Sequence, residues 1–190
     1  MSATSDVVKL RNVKLSFPEL FRPRAFQEGQ TPKFQATFLL DPSSKEGAAQ
    51  IKMLQSKIKE VLVEAYGDEK SVPKGVKACL KDNEVEGKEY NGYEGMWFIS
   101  TSNTVRPTVV DRDLSPITED DDKMYPGAVV NATITLWSQN NQYGKRVNAN
   151  LRAIQFVKDS ERFGGVAAAN AENEFDLLDE LDGADGDEPW

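Results

Sequence analysis

The residues with chemistry to offer are aromatic rings interleaved with cations. Tyr90, Tyr93, Trp97, Phe98, Trp137 and Tyr143 alternate along the chain with Lys77, Lys81, Lys88, Arg106, Lys145, Arg146 and Arg152, and Arg22, Arg24 and Lys33 precede them. Bases stack on such rings at about 1–3 kcal/mol each, while spaced cations track a phosphate backbone. Asn148 and Asn150 add amides that can hydrogen-bond base edges without fixing a sequence. For any single ring, packing in a core is the ordinary alternative. Taken together, the pattern suits sequence-independent contact with one nucleic-acid strand.

Other chemistries are poorly supplied. The chain has no histidine, which removes the commonest general base, the usual zinc ligand and the Ser-His and Cys-His nucleophile pairs. Cys79 is the single cysteine, so no internal disulfide forms and a reducing compartment fits. Asp111, Asp113, Asp120, Asp121 and Asp122 could seat metal ions for a nuclease, but they fall in a stretch with no rigid framework around it. No catalytic residue, metal or cofactor is assigned. No apolar run approaches the length of a membrane span, and the short polar N-terminus carries no signal-peptide pattern.

The elements that must position these residues are mostly strands. Val7 to Phe17 reads as a strand whose apolar face switches near Arg11-Asn12, as a bulge would make it. Pro18 to Pro32 reads as a loop. Lys33 to Leu40 alternates, with Phe34, Ala36, Phe38 and Leu40 on one face. A helix follows, with Ser43 and Glu46 as its capping box, Ile51, Leu54, Ile58, Leu62 and Ala65 as its apolar stripe, and Gly67 as its stop. Residues 68–93 break into turns. Gly95 to Asn103 is a strand with Trp97 and Phe98 on opposite faces, so one ring points away from the core if the sheet is one-sided. Ala128 to Gln139 and Arg146 to Val157 form a hairpin around Asn140-Asn141-Gln142-Tyr143-Gly144. The second face of these strands carries Lys33, Gln35, Thr37, Thr133, Thr135, Trp137, Arg146, Asn148, Asn150 and Arg152. A merely solvated face would show scattered Lys and Thr; an indole among them argues for a ligand.

Charge is unevenly divided along the chain. Residues 171–190 hold nine acids and no base, and end on Asp187-Glu188-Pro189-Trp190. The formal net charge of -8 leaves the first 170 residues at +1, with 23 basic and 22 acidic side chains. So acidic a tail is expected to be disordered, and its terminal indole suits a partner's pocket. A nearly neutral body binds a polyanion well only if the fold gathers its cations on one side. The boundaries expected are 1–163 for a binding domain and 164–190 for linker and tail.

Five strands with a bent first strand, one principal helix and an acidic, aromatic-ended tail resemble the phage-encoded single-stranded-DNA-binding proteins with an OB-fold. The passage from Tyr143 through Lys145, Arg146, Asn148, Asn150 and Arg152 to Val157 is similar to a phage family of that type, long known only as a domain of unknown function. So are Gly92-Tyr93-Glu94-Gly95 and Glu161-Arg162-Phe163-Gly164-Gly165. The tail tip is similar to the acid-acid-x-Pro-Phe end of bacterial single-strand binders, with Trp190 in place of Phe and one residue fewer. The helix departs from the usual OB plan, which places it between the third and fourth strands.

The resemblance implies a mostly β, OB-fold-like curved sheet or barrel, single-stranded DNA as partner with weaker double-stranded binding, and work in phage DNA replication or recombination in the cytoplasm of the infected bacterial host. It also implies a tail, through Asp182, Asp185, Asp187, Glu188, Pro189 and Trp190, that competes for the DNA groove and recruits replication or recombination proteins. Monomer and homodimer both stay open. A DNA-mimic inhibitor of a host DNA-binding protein, a metal-dependent nuclease and a structural phage protein are the competing readings.

Overall fold

A computed structural model describes residues 2–163. The first strand, β1 (Val8–Arg24), runs antiparallel to β2 (Lys33–Leu40). The principal helix α1 (Lys45–Tyr66) follows, then the short strands β3 (Lys77–Ala78) and β4 (Leu80–Asp82) and the single turn of α2 (Asn83–Glu86). Strands β5 (Trp97–Asn103) and β6 (Thr108–Val110), a 3-10 turn at Glu119–Asp121, and the long hairpin of β7 (Val129–Asn141) and β8 (Gly144–Lys158) complete the body. Five strands close on themselves: β1 pairs with β2, β2 with β5, β5 with β8, β8 with β7 and β7 with β1. That is an OB-type barrel. The other short strands dock on it: β3 and β6 on β8, and β4 on β5.

The principal helix enters between the second and third barrel strands, and the barrel closes regardless because α1 still covers one end of its core. Ile51, Leu54, Ile58 and Val61 join Leu10, Leu15, Phe38, Ile99, Ile134, Leu136 and Leu151 in one apolar cluster. Capping differs from expectation by one residue. Ser44 is the N-cap, its Oγ accepting from Gly47 N–H at 2.9 Å, while Ser43 donates to the Asp41 carboxylate. Glu46 reaches Asn12 instead of the helix start.

The bulge in β1 is present between Leu10 and Val13, where Asn12 adopts φ 52°. A bulge strips backbone groups of their ladder partners. Here the helix supplies them: Arg11 N–H donates to Gln50 Oε1 at 2.7 Å and Gln50 Nε2 donates back to Arg11 O at 2.9 Å. Asn12 N–H donates to Asn131 Oδ1. The strand then continues to Arg24, so residues 18–24, expected as loop, are strand after a second irregularity between Ser16 and Glu19.

The Trp97 and Phe98 rings lie on opposite faces as expected, but the sheet is not one-sided here. Trp97 packs against the main cluster, and Phe98 belongs to a second small core with Leu39 and Tyr93, flanked by Met96 and Phe163. Both faces of the sheet are covered at this end. Asn83 organises the covering loop, donating to the carbonyls of Lys88 and Tyr93 and accepting from Lys88 N–H. Gly92 lets the loop lie flat: it holds φ 84°, and a Cβ there would come within 2.5 Å of the Phe163 ring. No helix among the described residues is long and apolar enough to cross a membrane.

Candidate nucleic-acid interface

The barrel's weakest seam makes its most distinctive surface. β5 and β8 share a single bridge, Ser102 with Asn150. Where they part, residues 77–81 wedge in. Cys79 N–H donates to Val147 O at 2.9 Å, and Ser100 N–H donates to Cys79 O at 3.2 Å. The wedge brings Lys77 opposite Arg146 and Lys81 beside β5. The result is an open groove of about 640 Å³, with Lys33, Lys77, Lys81 and Arg146 as its cations and Gln35, Ser102, Asn148 and Asn150 as its polar lining. Among the described residues no carboxylate lines it. Among the described residues none of those four cations forms an ion pair.

Trp137 lines the same groove from β7. Its cross-strand partner is Asn148, and its indole N–H donates to Asn150 Oδ1 at 3.1 Å. Asn148 in turn donates to Gln139 Oε1 at 2.7 Å. These bonds hold a half-buried ring over the strands, as a stacking platform requires. Beneath, burial pushes the Cys79 thiol up to about 12, which disfavours the nucleophilic thiolate near neutral pH.

The expected site residues divide clearly. Lys33, Lys77, Lys81, Trp137, Arg146, Asn148 and Asn150 share the groove. Lys145 and the exposed Tyr143 sit just beyond Arg146, on the β7–β8 hairpin end. Arg24 pairs with Lys33 across the strands at the groove's other flank, bonded to Glu19 and stacked on Phe26. Arg106 is exposed before β6, Lys88 is exposed after α2, and Arg152 is exposed on β8 outside the groove lining. Arg22 is bound to Glu119. Tyr93 and Phe98 are corrections: at 2% and 5% exposure they are core residues, and Tyr93 donates to Ser16 Oγ at 3.0 Å. Trp97 is likewise taken up in packing. Tyr90 remains half exposed. Sequence reading missed Gln35 as a groove residue only in part, having placed it on the right face, but missed Ser102 and Gln139 altogether. Their alternation with buried Thr101 and Ser138 was the available signal. The tail residues Asp182, Asp185, Asp187, Glu188, Pro189 and Trp190 lie outside the described residues.

A second depression, between β1, β7 and β8, has Lys9 and Arg11 but no ring. The acids of the 111–122 loop are largely taken up in local bonds. Asp111 binds Lys123, Asp113 accepts from Ser115, Asp121 accepts from Thr118, and Asp122 binds Arg162. The Lys123 ammonium holds the Asp111 carboxyl below the usual range, and the Ser115 bonds do the same for Asp113. Among the described residues no three metal-ligating side chains gather.

The model of the family described as "Enterobacter phage Enc34, ssDNA-binding protein" matches residues 6–187. The chain belongs to that family. Its members include solved structures close to this one. The single-stranded-DNA-binding protein of bacteriophage Enc34 in complex with ssDNA is 30% identical with a TM-score of 0.73, over 83% of this chain and 89% of that one. A C-terminally truncated form of the same Enc34 protein gives 31% and 0.71, over 83% and 88%. Putative protein p50 of Acyrthosiphon pisum secondary endosymbiont phage 1 is 39% identical over 179 residues, 90% of this chain and 93% of that one. Bacteriophage T7 gp2.5, at 12% identity and TM-score 0.52, shares the fold. Passages that carry the resemblance have structural work here: Phe163 rests on Gly92, and Arg162 stacks on Tyr125 while binding Asp122.

Proposed function

We propose that the protein binds single-stranded DNA without sequence preference along the Lys33–Lys77–Lys81–Arg146 groove, with Trp137 stacking on a base. It is a binding protein of phage DNA replication or recombination, acting in the cytoplasm of the infected host, and not an enzyme. The observation that carries the reading is a groove with four cations, a tethered indole and, among the described residues, no acid, on a chain whose net charge is -8. Cations without carboxylate neighbours are free to neutralise phosphates and so release the counterions condensed on DNA, which favours binding at low salt. The Enc34 relative seen with ssDNA supports the same assignment.

The acidic C-terminal residues compete for this groove and recruit partner proteins through Trp190. Double-stranded DNA binds more weakly, through backbone charge alone. Titration of tryptophan fluorescence with oligo-dT tests the core of the proposal. Quenching that disappears in Trp137→Phe is expected; undiminished quenching in that variant moves the platform elsewhere. Deleting residues 172–190 should tighten binding and steepen its fall with salt; unchanged affinity refutes competition.

A further inference from the structure

Beyond the groove, β1 carries an exposed aromatic in a conformation that aromatics avoid. Phe17 has φ 46°. The other irregularity of this strand places Asn12 at φ 52°, a residue type that tolerates the left-handed region. For a bulky ring the same geometry is strained, and such strain persists chiefly where function requires it. The effect is to leave the Phe17 ring 47% exposed. Tyr90, 51% exposed, meets it edge-on with ring centroids 4.9 Å apart, and buried Tyr93 backs them both.

This pair is continuous with the groove. Gln35, a groove residue, reaches the Phe17 carbonyl with its Nε2 at 3.5 Å. The next outward position of β2, Thr37, pairs with Ser16 on one side and with groove-lining Ser100 on the other. The hollow beside the rings is lined by Ser16, Glu89, Asn91, Pro126 and Phe163, with no cation among its described lining residues; Lys14 lies over the Phe163 ring at 5.6 Å. Such a surface repels phosphate and accepts flat apolar faces. We propose that Phe17 and Tyr90 form a second base-stacking platform, receiving the bases of a single strand that has crossed the cationic floor by way of Gln35 and Thr37. This rests on the groove being the DNA site and extends its length.

The test compares wild type, Phe17→Gly and Tyr90→Ala for affinity to oligo-dT of about 4 and about 12 nucleotides, within the range of OB-fold footprints. Glycine suits the backbone at position 17, so the first variant removes the ring without adding strain. Expected is unchanged binding of the short oligomer and roughly tenfold weaker binding of the long one in each variant, as the loss of one stacked base predicts. Long-oligomer affinity equal to wild type overturns the inference. So does tighter binding, which would mean the rings hold the protein's own C-terminal residues, and so does equal loss for both lengths, which would make the rings structural. Failure of wild type to bind either oligomer refutes the groove itself, and the extension falls with it.

Discussion

Two groups of cations in the described body sit in different company. Arg22, Arg24, Lys57, Lys59, Lys123 and Arg162 each hold a carboxylate within 3.3 Å. Lys33, Lys77, Lys81 and Arg146 line one groove, with no carboxylate among its described lining residues. Like charges gathered this way repel, at a cost to stability that a solvated surface would avoid by mixing signs. The contrast shows how a body of nearly balanced charge can present a local field: six cations sit beside acids, while four gather on one strand seam. Total charge is a poor guide to such a protein, and arrangement is the informative quantity.

The sharpest way to break the contrast is to erase one side of it. Replacing Lys33, Lys77, Lys81 and Arg146 together by Ala should weaken oligo-dT binding by about three orders of magnitude at 50 mM salt and flatten the salt dependence by about 0.7 per cation removed. Filter binding or fluorescence anisotropy across a salt series measures both. A wild-type slope retained by this variant places the phosphate contacts outside the groove. Next in size is Trp137→Ala, expected to cost about 1–3 kcal/mol of binding, roughly 5- to 150-fold, with little change in salt slope because a ring and not a charge is lost.

The thiol beneath the groove gives a test by titration. Burial lifts the Cys79 thiol from 9.0 to about 12 in the folded chain. Below pH 9 both folded and unfolded chains hold the proton; above it the unfolded chain releases the proton first, so this group's contribution to stability falls as pH rises towards 12. The melting temperature of wild type should therefore drop relative to Cys79→Ala between pH 9 and 11, and parallel curves would show the thiol to be solvated. The smallest effect belongs to the paired population. Arg22→Ala, which breaks an exposed bond to Glu119, should change DNA affinity by no more than about twofold, since exposed pairs contribute little and this arginine is remote from the groove lining.

Much of this architecture was legible in period-two alternation. The faces of β2, β7 and β8 follow directly from it, and the face switch at Arg11-Asn12 announces the bulge. Trp137, Arg146, Asn148 and Asn150 were read as one face, and they line one groove. What alternation could not show is closure. The β5–β8 seam joins residues about fifty positions apart through one bridge, and no local pattern encodes it. The wedge at 77–81 looks like loop because its strands are two and three residues long. Tyr93 and Phe98 were misassigned because exposure on a sheet's second face depends on what covers that face, here Asn83's loop and Phe163, both distant or irregular in sequence. Phe17 escaped notice because a positive φ leaves no trace in an apolar residue's identity.

Photo-cross-linking of oligo-dT to the intact protein, with adducts mapped by mass spectrometry, tests the central claim most directly. Adducts on Trp137 and the neighbouring β8 segment around Arg146 to Asn150 are predicted. Adducts confined to the Lys9–Arg11 depression or to the acidic loop at residues 111–122, with none on Trp137, would contradict it.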